Sequence, residues 1–186
     1  MSLDEIYKDA KHRMEKTVEY VQHELARIRT GRATPTLLDG IKIEYYGTNM
    51  PLHQVASISA PEPRLLVIQP WEKKFIGEIE KAILEADLGL NPANDGNVVR
   101  IPIPELSEER RQDLLKLVKK FSEEGRIAIR NVRRDANDHI KKLEKNHDIS
   151  EDVSHDAQDK IQNYTDKYIE QIDNMLAHKE TEILEK

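Results

Sequence analysis

Residues 29–35 read RTGRATP, and this stretch ends one helix and opens a different kind of chain. Gly31 suits the left-handed backbone of a helix C′ position, and Pro35 lies just beyond it, where a helix does not continue. Upstream, residues 3–29 contain neither Gly nor Pro. Leu3, Tyr7, Ala10, Met14, Val18, Val21, Leu25 and Ile28 recur there at steps of three and four. That is the spacing of a helix burying one narrow apolar stripe.

Downstream the character changes. All eight prolines and six of the seven glycines fall between residues 31 and 104. IKIEYY (41–46) alternates apolar and polar residues as a strand does, and GTNMP (47–51) reads as a turn. VASIS (55–59) and RLLVIQP (64–70) read as further strands. EKKFIGEIEKAILEADLGL (72–90) is helical, with Ile76, Ile79, Ile83 and Ala86 on one face and Gly89 near its stop. NVVRIPIP (97–104) returns as a strand with Val99, Ile101 and Ile103 on one side. Pro102 and Pro104 donate no ladder hydrogen bonds, which favours an edge position for it. This middle segment is a small unit of about four strands and one helix.

From Ser107 the helical period resumes. Leu114, Leu117, Phe121, Ala128, Val132, Ala136, Ile140 and Leu143 mark the seam of a helix running to residue 145, roughly 58 Å at 1.5 Å per residue. KNHDIS (145–150) interrupts it. Ser150 is an N-cap and Glu151 and Asp152 suit the positive end of the next helix, which buries Ala157, Ile161, Tyr164, Tyr168, Ile172 and Met175. A helix with one apolar stripe is not stable alone, and three of them share a seam as a bundle. The expected fold is therefore α+β: an elongated three-helix bundle (1–30 with 105–186) interrupted by a small inserted domain (31–104). Two short connections at its borders permit a hinge.

Composition fits elongated helices with much solvated surface: 38% hydrophobic, 34% charged, formal net charge -6. With no cysteine, disulfides, thiolate metal sites and cysteine nucleophiles are excluded. No apolar run approaches the roughly 18 residues of a membrane span, and the N-terminus lacks the apolar core of a signal peptide. These features read as a soluble cytoplasmic protein with no membrane partner.

An acidic chain that concentrates arginines in one place needs a reason. RIAIRNVRRDAND (126–138) carries four arginines in its first nine residues and no acid before Asp135. At about 100° per residue, Arg130, Arg133, Arg134, Asn137 and Lys141 all fall within about 80° of Arg126, while the core residues lie on the other side. Like charges one turn apart destabilise a helix by a few tenths of a kcal/mol per pair. Arginine also grips phosphate through two parallel hydrogen bonds. The stripe therefore reads either as an RNA-phosphate face or as a solvated surface paired with acids of the C-terminal helix. It holds no aromatic residue, so it suits backbone rather than stacked bases. Arg27, Arg29 and Arg32 gather at the end of the first helix, where they suit either its C-terminal dipole or a phosphate. Arg110 and Arg111 sit at a helix start, an unfavourable place for cations, so another partner must want them there.

Catalysis finds little support. The histidines are scattered, and HDISEDVSHD (147–156) gathers His147, Glu151 and His155 without a shared helix face. There is no GxxxxGK[ST] phosphate loop and no GxSxG elbow. No metal or cofactor is expected. A coiled-coil holdase or adaptor is the alternative; it needs an exposed apolar patch, and it would oligomerise where an elongated monomer is expected here.

The motifs RIRTGRATPTLLDGI (27–41), EYYGT (44–48), ADLGLNP (86–92), IPIPELSEERR (101–111) and RIAIRNVRRDAND (126–138) resemble, in the same order, the ribosome recycling factor family. The resemblance implies an L-shaped pair of domains, a three-helix bundle with an inserted β/α/β domain. It implies a translation factor rather than an enzyme, binding the 70S ribosome after termination across the intersubunit face of the large subunit. With elongation factor G and its GTP hydrolysis, such a factor splits the subunits and releases messenger RNA and deacylated tRNA. The bundle would contact ribosomal RNA through Arg130, Arg133 and Arg134, joined from the stripe by Arg126 and from the flanking clusters by Arg29 and Arg110. Thr30, Gly31, Arg32, Pro104 and Glu105 would form the hinge about which the inserted domain swings.

Overall fold

The computed structural model describes residues 1–185. The fold is α+β, and the chain divides into two compact units: Met1–Ile28 together with the chain from Glu108 onward, and Arg29–Ser107.

The first unit is three helices. α1 (Leu3–Ala26) starts at a capping box in which Glu5 N–H donates to Ser2 Oγ and Ser2 N–H donates to Glu5 Oε2. It ends at Ala26, short of the expected residue 29, because Ile28 N–H turns back to the Leu25 carbonyl in a tighter turn. α4 (Glu108–Lys145) spans 38 residues and α5 (Glu151–Leu184) 34. Between them His147 takes φ +62°, and the Asp148 and His147 N–H groups return to the Leu143 and Glu144 carbonyls, closing off the last turn of α4. Ser150 caps α5, its Oγ accepting from Val153 N–H at 3.2 Å.

The seam of α4 is Arg111, Leu114, Val118, Ser122, Gly125, Ile129, Val132, Ala136 and Ile140. Leu117, Phe121, Ala128 and Leu143, expected in it, are only half-buried. The seam passes through polar and small residues that an apolar count skips. Ser122 satisfies its hydroxyl on the Val118 carbonyl at 2.9 Å, and Thr165 in α5 does the same on Ile161. Tyr164 and Met175 are likewise half-buried, with Thr165 buried in their stead. Gly125 marks the closest approach: a Cβ there would lie 2.5 Å from Val21 Cγ2 and 3.1 Å from Ile172 Cδ1. Tyr168 is buried and donates to Glu15 Oε1 at 2.9 Å, tying α5 to α1. Burial first and that hydrogen bond second push its phenol up to about 12.

Arg111 explains one cation at the start of α4. Its side chain is buried, and Nε donates to the Ile183 carbonyl at 3.1 Å while Nη1 contacts Glu108. That carbonyl lies in the last turn of α5, where intrahelical donors run out. A guanidinium there satisfies the carbonyl and the negative end of the dipole together. Arg111→Met keeps the apolar stem but leaves the carbonyl unpaired, so we expect about 1–3 kcal/mol less stability in urea unfolding. Unchanged stability, or unchanged amide exchange in the last turn of α5, would count against this role.

The second unit, Arg29–Ser107, holds the sheets. β1 (Lys42–Tyr45) and β2 (Thr48–Pro51) form a hairpin through Tyr46 and Gly47, both at positive φ. GTNMP is therefore mostly strand, with only Gly47 in the turn. One turn of helix, α2 (Leu52–Val55), precedes β3 (Ala56–Glu62), so the expected strand starts at Ala56. β4 (Leu65–Pro70), α3 (Ile76–Glu85), β5 (Ala93–Asn94) and β6 (Val99–Pro102) follow. The four-stranded sheet runs β3-β4-β6-β5, antiparallel throughout. β6 is thus not an edge strand. β5 covers only Val99 and Arg100, so Pro102, opposite Leu65 on β4, keeps an open flank that tolerates its missing donor. Ile76, Ile79 and Ile83 of α3 share one core with Leu66, Ile68, Val99 and Ile101 of the sheet. Ala86 is exposed because α3 stops at Glu85; Ala82 packs on the core in its place.

Candidate nucleic-acid interface

α4 positions the arginines, and burial of Ile129, Val132 and Ala136 fixes which way they turn. The stripe is not uniform. Arg126 leans toward α5: its side chain is 19% exposed, and Nε and Nη2 hold Asp173 at 2.8 and 2.6 Å while Nη1 holds Glu123 at 3.1 Å. Burial lowers its pKa, but Asp173 and Glu123 outweigh that and hold it above the usual guanidinium value. The expectation that all the stripe's arginines face outward fails here, because α5 brings Asp173 alongside. Arg130 shares Glu123 at 3.4 Å and stays 40% exposed. Arg133, half-buried, has Nη1 3.4 Å from Gln162 Oε1 of α5. Arg134 is exposed, and among the described residues no carboxylate lies within 4 Å of Arg133 or Arg134. Beside them, Asn137 Oδ1 is buried with no hydrogen-bond partner among the described residues.

The cationic surface is also longer than the arginine motif. Advancing about 100° per residue from buried Gly125, the outer ridge of α4 takes in Lys116, Lys119, Lys120, Arg130, Arg134, Lys141 and Lys145, against Glu109, Asp113, Glu123 and Asp138. Sequence reading missed the three lysines upstream of the motif, although the same angular count finds them. It also missed Ile127, an isoleucine about 100° from Arg126 and thus beside Arg134 rather than in the seam.

The remaining expected residues sit elsewhere. Arg29 belongs to the second unit, where Nη1 donates to the Leu88 carbonyl at 2.7 Å. Arg110, exposed in the first turn of α4, and Arg32 each have an interaction partner within the molecule. Thr30, Gly31, Arg32, Pro104 and Glu105 all fall within Arg29–Ser107. Gly31 has φ +74°, and a Cβ on it would meet Leu106 Cγ at 3.0 Å. Glu105 pairs with Arg64, whose carbonyl accepts Ile103 N–H, while Pro63 accepts Ala33 N–H. Both chain segments are thus stitched to the β3–β4 turn. His147, Glu151 and His155 do not converge: among the described residues no three metal-ligating side chains could hold one ion. No helix among those residues is long and apolar enough to cross a membrane.

Comparison with known proteins agrees in sequence and fold. The family model described as Ribosome recycling factor matches residues 21–184. A ribosome-recycling factor of Carboxydothermus hydrogenoformans is 56% identical over 182 residues, 98% of each chain. That of Bacillus subtilis is 54% identical over 181 residues, 97% of this chain and 98% of its own. The solution structure of a ribosome recycling factor superimposes with TM-score 0.80 at 45% identity, covering 99% of this chain and 98% of its own. Models of the T. thermophilus ribosome recycling factor and the E. coli elongation factor G bound to the E. coli post-termination complex give TM-score 0.68 at 49% identity, covering all of both chains. Similarity that extends through both units, at more than half the residues in each of these two relatives, leaves one conclusion: the chain belongs to the ribosome recycling factor family.

Proposed function

We propose that this chain disassembles the post-termination ribosome together with elongation factor G, freeing ribosomes and messenger RNA for reuse. Family membership supports the activity, and the outer ridge of α4 supports the way it is anchored. The single observation carrying that second part is Arg134, an exposed guanidinium with no carboxylate within 4 Å among the described residues, on a ridge rich in lysine and arginine. Arg130, Arg133 and Arg134 hold ribosomal RNA phosphates, and Arg126 braces the helix that presents them. Arg110, and Arg29 in the second unit, add further phosphate contacts. Thr30, Gly31, Arg32, Pro104 and Glu105 serve as the pivot. The factor acts as a cytoplasmic monomer and performs no bond-making of its own, since GTP hydrolysis belongs to its partner.

A polysome-breakdown assay tests the activity: breakdown is expected with this chain and elongation factor G together, and with neither alone. Breakdown independent of the chain would sink the reading. Anchoring is tested by salt. Phosphate contacts release counterions, so affinity for large subunits should fall steeply on a log–log salt plot, and Arg134→Gln should reduce the slope by about 1. A flat plot would transfer the contact to ribosomal proteins.

A further inference from the structure

The outer ridge of α4 carries one large apolar side chain that the bundle does not use. Ile127 is 48% exposed. It lies one turn after Glu123, one turn before Arg130 and two turns before Arg134, so the four share a face. A β-branched residue on an exposed helix surface is a poorer helix former than the glutamates and arginine beside it, and its exposed half adds nothing to the core. Isolated apolar side chains on a surface ordinarily need no explanation. Tyr20 on α1 and Val153 in the first turn of α5 are of that kind. Ile127 differs in its company: Glu123 and Glu124 lie one turn before it, but on its other side the ridge continues through Arg130, 40% exposed, to exposed Arg134, cations that favour a polyanion over an apolar protein surface.

A polyanion held by its phosphates brings sugars and bases with it. Cations fix the backbone, and neighbouring side chains meet what hangs from it. We propose that Ile127 packs against the sugar or base face of a ribosomal RNA nucleotide whose phosphates Arg130 and Arg134 hold. This rests on the ribosomal RNA reading of the ridge and adds to it a contact that charge does not provide. Water leaves the exposed half of the isoleucine when RNA docks, which strengthens binding without neutralising a phosphate.

The test pairs Ile127→Ala with Arg134→Gln and uses Val153→Ala as a control. Ile127→Ala should keep or slightly raise stability in urea, since alanine is the better helix former. Its affinity for large ribosomal subunits should fall roughly five- to tenfold while its salt slope stays that of the unmodified chain. Chemical probing of the subunit's 2′-hydroxyls should show protection lost at one or two nucleotides. Val153→Ala should change none of these. Wild-type affinity for Ile127→Ala, with Arg134→Gln still weakened, overturns the Ile127 contact and leaves the phosphate face standing. Wild-type affinity in both variants overturns both. Weakened binding without loss of any protected nucleotide places Ile127 against a ribosomal protein and overturns the proposal.

Discussion

Gly125→Ala is expected to destabilise the three-helix unit by about 2 kcal/mol, although alanine is the best helix former. Glycine inside a helix costs about 1 kcal/mol relative to alanine, so on an exposed face the change would stabilise. Here the new methyl would sit 2.5 Å from Val21 Cγ2 and 3.1 Å from Ile172 Cδ1, with α1 on one side and α5 on the other. Overpacking of this kind costs about 1–3 kcal/mol, and a contact this short belongs at the upper end. The clash therefore outweighs the propensity gain. A double-mutant cycle isolates it: Val21→Ala removes the obstructing methyl, so Gly125→Ala in that background should become neutral or stabilising by about 1 kcal/mol. Urea unfolding of the four proteins gives the coupling directly. Strict additivity would mean that the helices move apart at no cost and that Gly125 is not what sets their spacing.

Arg134→Glu and Arg126→Gln should fail in different ways. Among the described residues no carboxylate lies within 4 Å of Arg134, so reversing its charge should leave urea stability within about 0.5 kcal/mol. Its affinity for large subunits should fall by about 2 kcal/mol, roughly 30-fold, from a lost charged contact plus repulsion. Arg126 is held by Asp173 and Glu123. Removing its charge should cost about 1 kcal/mol of stability, because its own side chain is mostly buried while both acids are half-exposed. Its direct contribution to ribosome affinity should be small. If Arg126→Gln weakened binding as much as Arg134→Glu without loss of stability, Asp173 would have to release it on the ribosome.

These two residues also show how far sequence reaches. Angular counting along a helix groups Arg126 with Arg134 because it knows only one helix. Asp173, which separates their roles, lies 47 residues downstream and arrives through packing. The helices themselves were legible, since an apolar stripe at steps of three and four has one stable use. The middle of the seam was not: Ser122, Gly125 and Thr165 occupy it by returning a hydroxyl to the preceding turn or by being small. Arg111 was flagged as misplaced at a helix start, but its partner, the Ile183 carbonyl, lies 72 residues away and is a backbone group with no sequence signature. In the inserted unit, prolines argued for an edge strand, and a two-residue β5 too short to show any period took that edge.

The bond from Tyr168 to Glu15 bears on how the chain is made. Its two ends are 153 residues apart, and Arg13 meets Asp135 across 122. At about 5–20 residues per second of synthesis, α1 waits on the order of ten seconds for its neighbours. Residues 29–107 meanwhile contain their whole core and can settle first. α1, made before the second unit, is thus sheltered after it, and its bare stripe of Ile6, Ala10, Met14, Val21 and Leu25 is the natural target for nascent-chain chaperones.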